Sequence, residues 1–361
     1  MSGPDVAPRR VVDVHHHYLP PEVLSALVSL AGGAPRLVNE RISITLSPLL
    51  ADAGAHLEAM DAAGVDVAVL TYSGVSVLGT GVCAALNEGL AAVEAAHPGR
   101  FVGAAHVDLD DPAAVVELER CVGELGFRLL ALPCSTPERA LDDPSLERLW
   151  DAAESLDLPV VLHPAMLPAG ASTDYGLERS CARPFDTTTA AVRLLSGVFP
   201  RHRKLRVVLP HCGGTAAFLR GRLQMFFGQP GGPPPPMPRT VLEHRREGID
   251  EVFASLWSQL WFDTAGTGGW APAVGFAASV VGADRLMWGS DFPLESHSGE
   301  TVCELLSVLD GLAIGEADRA AIAGGTAEAL FSVPVRTPSG PQRRPAGGGA
   351  AARAVVTGSP A

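Results

Sequence analysis

Lysine is nearly absent from this chain: Lys204 is the only one in 361 residues. Any chemistry that needs a Schiff-base lysine, or a carbamylated lysine bridging two metals, therefore has one candidate. Long apolar runs are missing too. None reaches the ~18 residues of a membrane span, and the first ten residues, MSGPDVAPRR, carry no apolar stretch behind their charges. Neither a membrane anchor nor a secretory signal is expected. Positive charge is scarce: 27 Lys and Arg stand against 40 Asp and Glu, a formal net charge of −13. That balance argues against a nucleic-acid surface. The six cysteines, Cys83, Cys121, Cys134, Cys181, Cys212 and Cys303, form no C-x-x-C pair. Their scatter reads as reduced thiols of a cytoplasmic protein and not as a disulfide framework.

What is present is ample apolar sequence, 47% of the chain, in a regular alternation. Short β-branched runs at Val11–His16, Val65–Thr71, Phe101–Val107, Arg128–Leu132, Pro159–His163, Leu205–Pro210, Leu260–Ala265 and Arg285–Gly289 predict strands. Between them, stretches such as Ala51–Ala63, Ala84–His97, Pro112–Leu125, Ser145–Leu156, Thr188–Val198, Thr215–Phe226 and Ala271–Val281 predict helices. Strands such as VAVL and VVLP are almost wholly apolar, as expected when both faces are covered. Eight β–α units of this kind predict an α/β protein, a (β/α)₈ barrel, over residues 1–335. Residues 336–361 are rich in Pro, Gly, Ala and Arg and are expected to be a disordered tail. Gly228–Arg239 (GQPGGPPPPMPR) is too rich in Pro and Gly to be helical.

The chemistry-bearing residues gather at the ends of predicted strands. In VVDVHHHYLP, side chains alternate faces, so Asp13, His15 and His17 share one face and His16 points away. His163 ends PVVLHP, His211 ends LRVVLPH before Cys212-Gly213-Gly214, and Asp291 follows the last strand in WGSDFP. Barrel enzymes work at the C-terminal ends of their strands, where these residues would converge. Three imidazoles and a carboxylate suit Zn²⁺, Mn²⁺ or Fe²⁺. Asp13 is a candidate partner for His15. Phe292, Trp288 and Trp270 are either core or the wall of an aromatic pocket. His106, His297 and Asp263 are placed where they could face the site; His56, His97, His202 and His244 read as surface residues.

These motifs, Asp13-Val14-His15-His16-His17, the strand ending at His163-Pro164, His211-Cys212-Gly213-Gly214 and Gly289-Ser290-Asp291-Phe292-Pro293, resemble the amidohydrolase superfamily, in the branch that holds γ-resorcylate, 6-methylsalicylate and aminocarboxymuconate-semialdehyde decarboxylases. The likeness runs from about Val11 to Phe331. It implies a metal held by His15, His17, His163 and Asp291, with His211 as acid/base. It also implies a homodimer in which Arg222 enters the partner's site. The family's other substrate arginine has no matching position, since Arg36 and Arg41 are out of register. Binuclear members carry a bridging lysine at the end of strand four; RLLALP has none, which implies a single ion, zinc first and manganese second. The implied reaction is non-oxidative decarboxylation of a small ortho-hydroxy aromatic carboxylic acid. Carboxylate and phenol oxygens chelate the ion, and Asp291 or His211 protonates the ring carbon; Phe292 and His297 are candidates for touching the substrate. The alternatives are a mononuclear metal hydrolase of an ester, lactone or amide, and a non-catalytic binding protein.

Overall fold

Each of the eight predicted apolar runs forms a strand. The computed structural model describes residues 9–38, 42–164, 174–228, 243, 245 and 247–332. The strands are β1 (Val12–His17), β2 (Arg36–Val38), β3 (Ser43–Thr45), β4 (Val67–Thr71), β5 (Phe101–Gly103), β6 (Ala105–His106), β7 (Leu130–Pro133), β8 (Val160–His163), β9 (Val207–Leu209), β10 (Leu260–Asp263) and β11 (Leu286–Met287). One parallel sheet runs β1-β4-β5 and another runs β11-β10-β9-β8-β7-β6. The predicted strand at 101–107 divides between them. Ala104 N donates to Leu70 O at 3.2 Å and Ala105 N to Leu129 O at 2.7 Å, so the chain changes neighbour at one residue. At the other seam Val14 N donates to Trp288 O (3.1 Å) and His17 N to Phe292 O (2.7 Å). These bonds join the two sheets into the ring of an α/β barrel. The antiparallel pair β2–β3 is an addition that the β–α alternation did not announce.

Period-two alternation decides what fills the ring. Val12, Val14, Val67, Val69, Leu129, Ala131, Val161, Val208 and Met287 form one buried cluster, the inward layer of a packed barrel. The alternate residues Ala68, Leu70, Leu130, Leu132, Val160 and Leu162 belong to the larger cluster beneath the helices. Helix Thr80–Ala96 shows the matching logic: it buries Cys83, Leu86, Leu90 and Val93, the spacing of one apolar stripe. Each fully buried aliphatic side chain contributes about 1.5–3 kcal/mol.

Several expectations need correction. The helix predicted from Thr188 begins at Arg183, with Pro184 in its first turn, where a missing N–H costs nothing. It continues as wider π-type turns over Leu194–Val198. His56 and His202, expected at the surface, are buried. Burial pushes the His56 imidazole down to about 3, with the neighbouring His16 adding to the shift. Arg41, His244, residues 229–239 and the tail from 336 lie outside the described residues.

Candidate metal centre and active-site cavity

The end of β1 departs from simple alternation. Its register against β4 shifts between Asp13 and His16, and this separates Asp13 from the ring of His15. Asp13 Oδ2 instead faces His16 Nδ1 at 2.8 Å, and Asp13 Oδ1 accepts from Ser290 N at 3.0 Å. His56 Nε2 donates to Leu49 O (2.8 Å), so its Nδ1 accepts from His16 Nε2 (2.8 Å). The chain Asp13–His16–His56 is thus a buried polar strut that ties β1 to the helix Ala53–Ala63, while Asp13 also holds the loop after β11 through Ser290. The partner foreseen for His15 is a different acid: Asp263, the last residue of β10, places Oδ2 2.8 Å from His15 Nδ1.

That contact turns His15 Nε2 inward. His17 is oriented the same way, because its Nδ1 donates to Thr71 O at 3.1 Å. Such outer partners fix the tautomer of a ligating imidazole. His163 ends β8, and its ring centroid lies 5.1 Å from that of His15 and 4.7 Å from that of His17. Asp291 adopts a left-handed φ of 53°, held there by its own N–H donating to His15 O at 2.9 Å. One potential ligand atom from each of His15, His17, His163 and Asp291 falls within 4.8 Å of all the others. His15 Nε2, His17 Nε2 and Asp291 Oδ1 are buried without a hydrogen bond of good geometry, and the last two face each other, acceptor to acceptor, at 2.9 Å. Orphaned buried acceptors cost about 1–3 kcal/mol each, which a divalent cation among them would relieve. Three nitrogens and one carboxylate oxygen are a donor set such a cation accepts.

The local fields agree with that assignment. Burial, with His17 and His15 nearby, holds His163 well below the usual imidazole range. Burial acts to lower His15 as well, but the Asp263 carboxylate outweighs it and takes the group to about 9. Burial would raise Asp291, yet His17 and His15 keep it ionised far below the usual carboxylate range. A cation at Nε2 would take the place of the proton that Asp263 attracts to His15.

His211 sits two residues beyond β9 in a turn where His211, Cys212, Gly213 and Gly214 all have positive φ. Asp263 Oδ1 accepts its backbone N–H at 2.9 Å, so one carboxylate positions both His15 and His211. The two rings stack at 5.1 Å and 29°. Gly266 makes room for His211: a Cβ there would come 2.6 Å from the ring. His211 Nε2 is buried without a hydrogen-bond partner. Burial and the charge of His15 bring the group down to about 4, so it is neutral near pH 7.

His17, His163, His211 and Asp291 open onto a cavity of about 340 Å³, within the range of small-molecule sites. The other expected contacts divide. Trp270 lines the cavity; Phe292, Trp288, His297, His106 and Arg222 do not. Phe292 is buried with its ring stacked on His16 at 5.1 Å. Trp288 is core. His297 is exposed, with Nδ1 2.9 Å from Pro293 O. His106 is engaged at both nitrogens, donating to Ala104 O (2.9 Å) and accepting from Tyr72 N (2.9 Å). Arg222 is exposed over the ring of Phe226 at 5.4 Å. Sequence reasoning missed Tyr72, Arg179, Arg183 and Glu295, all of which line the cavity. One signal was available: Arg179 and Arg183 stand one helical turn apart just after the strand that ends at His163.

A family model described as "Amidohydrolase" matches residues 12–333. A γ-resorcylate decarboxylase of Rhizobium sp. (strain MTP-10005) is 27% identical over 302 residues, 77% of this chain and 86% of that protein. The γ-resorcylate decarboxylase of Rhodococcus jostii (strain RHA1) is 30% identical over 269 residues, 68% of this chain and 75% of that protein. Among solved structures, the 5-carboxyvanillate decarboxylase of Novosphingobium aromaticivorans, complexed with manganese and 4-hydroxy-3-methoxy-5-nitrobenzoic acid, superposes with a TM-score of 0.71 at 23% identity. That match covers 90% of this chain and 96% of the other.

Proposed function

The chain belongs to the amidohydrolase family, and from that membership and the site's geometry we propose that it is a metal-dependent decarboxylase of a hydroxylated aromatic carboxylic acid. The observation that carries the reading is the convergence of His15, His17, His163 and Asp291 beside a cavity that His211 also lines, its buried Nε2 without a hydrogen-bond partner. The γ-resorcylate decarboxylases that resemble the chain over most of its length support the aromatic substrate.

The four clustered residues would hold one divalent ion. Zinc and manganese both suit them, and manganese is the ion in the solved relative. When bound, the ion supplies charge stabilisation and a fixed point for the substrate's carboxylate and phenol oxygens. His211 does the proton work. Neutral in the empty cavity, it accepts the phenol proton as the substrate binds and then delivers it to the ring carbon that bears the carboxylate. The C–CO₂ bond next breaks, its electron pair returning to the ring, and solvent reprotonates the phenolate. Such general acid–base catalysis contributes roughly 10²–10⁴ in rate. Asp263 keeps the imidazole in place through the backbone of its turn.

The active unit is proposed to be a homodimer. Phe218, 75% exposed, packs near Phe276 at 5.9 Å, and the exposed Arg222 lies one turn further along the same helix, a surface suited to a second copy. Six unpaired cysteines fit a cytoplasmic setting. The test is CO₂ release from 2,6-dihydroxybenzoate, 6-methylsalicylate and salicylate, by zinc- and manganese-loaded protein and by chelated protein. Release that needs metal and falls at least 10²-fold in His211→Asn is expected. Metal-bound protein that releases no CO₂ from any aromatic acid overturns the reading.

A further inference from the structure

Arg183 and Arg179 enter the cavity from a segment that no assigned role uses. Arg183 Nη2 donates to Glu178 Oε1 at 3.1 Å and to Ser43 O at 3.2 Å, while its Nε is buried with no hydrogen-bond partner. Glu178 is almost fully buried and also accepts from Arg36 Nη2 at 3.3 Å. One carboxylate therefore stands between two guanidiniums and leaves positive charge over. Arg179 adds more, and its Nη2 donates to a neutral group, Thr45 Oγ1, at 3.3 Å. Glu295 lines the cavity too and lies within electrostatic reach of both arginines, but among the described residues no ion pair joins it to either. Arg183 is also held in place beside the reacting groups. Thr215 N donates to Thr188 Oγ1 at 2.9 Å, and a Cβ at Gly214 would come within 2.2 Å of Pro184 O. The helix that begins at Arg183 is thereby locked onto the turn that carries His211.

A fixed, under-compensated guanidinium is a carboxylate receptor, because its planar fork matches two carboxylate oxygens. We propose that Arg183, braced by Glu178, and Arg179 form an anion subsite, and that the substrate is an aromatic diacid. One of its carboxylates sits at the histidine–aspartate cluster, where it is lost, and the other is held by the arginines. The substrate half of this inference rests on the proposed decarboxylation; the subsite does not.

Salicylate and 4-hydroxyisophthalate share the hydroxyl and its neighbouring carboxylate and differ by the second carboxylate. Both are titrated calorimetrically into manganese-loaded protein and assayed for CO₂ release. The enzymes are wild type, Arg183→Gln, Arg183→Lys and Arg179→Gln, each checked by thermal melting. Wild type should bind the diacid roughly 10- to 100-fold more tightly, the worth of one or two charge-assisted hydrogen bonds. Arg183→Gln should erase that preference, weakening the diacid at least tenfold more than salicylate. Arg183→Lys keeps a charge beside Glu178, and Arg179→Gln leaves that brace intact, so both report if the glutamine variant fails to fold; each should lose most or part of the preference. Equal binding of the two acids by wild type, or an equal loss for both in the variants, overturns the subsite. An arginine-dependent preference without CO₂ from either compound upholds the subsite and overturns the diacid as substrate.

Discussion

Asp263 concentrates more of the site's geometry than any other single residue. One of its oxygens faces His15 Nδ1 and the other receives the N–H of His211, and the carboxylate is ionised because His15 outweighs the burial that would protonate it. Asp263→Asn would keep the shape but offer a neutral partner to His15. Metal affinity should fall roughly 10–100-fold, the usual effect of losing such a support, with a smaller loss in His211-dependent turnover. Metal titration monitored by competition with a chromophoric chelator reads the first and single-turnover CO₂ release the second; an unchanged affinity would show that Asp263 is only structural. Removing a donor itself is more severe. His163→Ala should leave less than about a tenth of the metal bound after dialysis, measured by elemental analysis, since one of four ligand positions disappears. Full stoichiometry in that variant would exclude His163 from the set.

Among the elements, the loops after β9 and β10 depend on each other through empty space. Gly266 has φ +67°, and a Cβ on it would lie 2.6 Å from His211 Cγ. Gly266→Ala must therefore push the imidazole or strain its own backbone. A left-handed φ on alanine costs about 1–2 kcal/mol, so the variant should melt a few degrees lower. Its turnover should fall at least tenfold while metal content stays normal; unchanged turnover would mean that His211 has slack. What the sequence revealed at this scale follows from locality. An apolar run that ends in histidine announces a strand end, and β1, β8 and β9 could be read that way. Asp13 was assigned to the wrong face because the bulge after it is set by register against β4, information that lies some 55 residues away. His56 looked like a helix-surface residue because its partner, His16, is 40 positions distant. Arg183 was missed because its segment carries no strand signal, and its role appears only once Glu178 and Ser43 close around it.

At the scale of the whole molecule, stability records which buried charges the fold tolerates. An ion that binds the folded chain alone adds about 2.7 kcal/mol at a hundredfold excess over Kd, so chelation should lower the melting temperature, and excess manganese should restore it. A second stability term comes from Asp186, outside the metal cluster. Ser135 Oγ donates to its Oδ1 at 2.6 Å, while Oδ2 is buried without a partner. Burial raises the carboxyl from 3.8 to about 6, against the pull of Ser135 and Arg183. The folded state thus binds this proton more tightly than the unfolded chain. Stability from this group is fully present at low pH, below the unfolded value near 4, and is lost as pH rises through about 6. Asp186→Asn mimics the protonated form at every pH and should abolish that slope. Denaturant unfolding of both proteins at pH 5.0 and 7.5, with chelator present, isolates the effect, because other titrating groups cancel between them. Wild type should lose about 1–1.5 kcal/mol more than the variant across that interval. Equal losses would mean that Asp186 is ionised throughout and has an unseen partner, and a larger loss in the variant would reverse the sign of the argument.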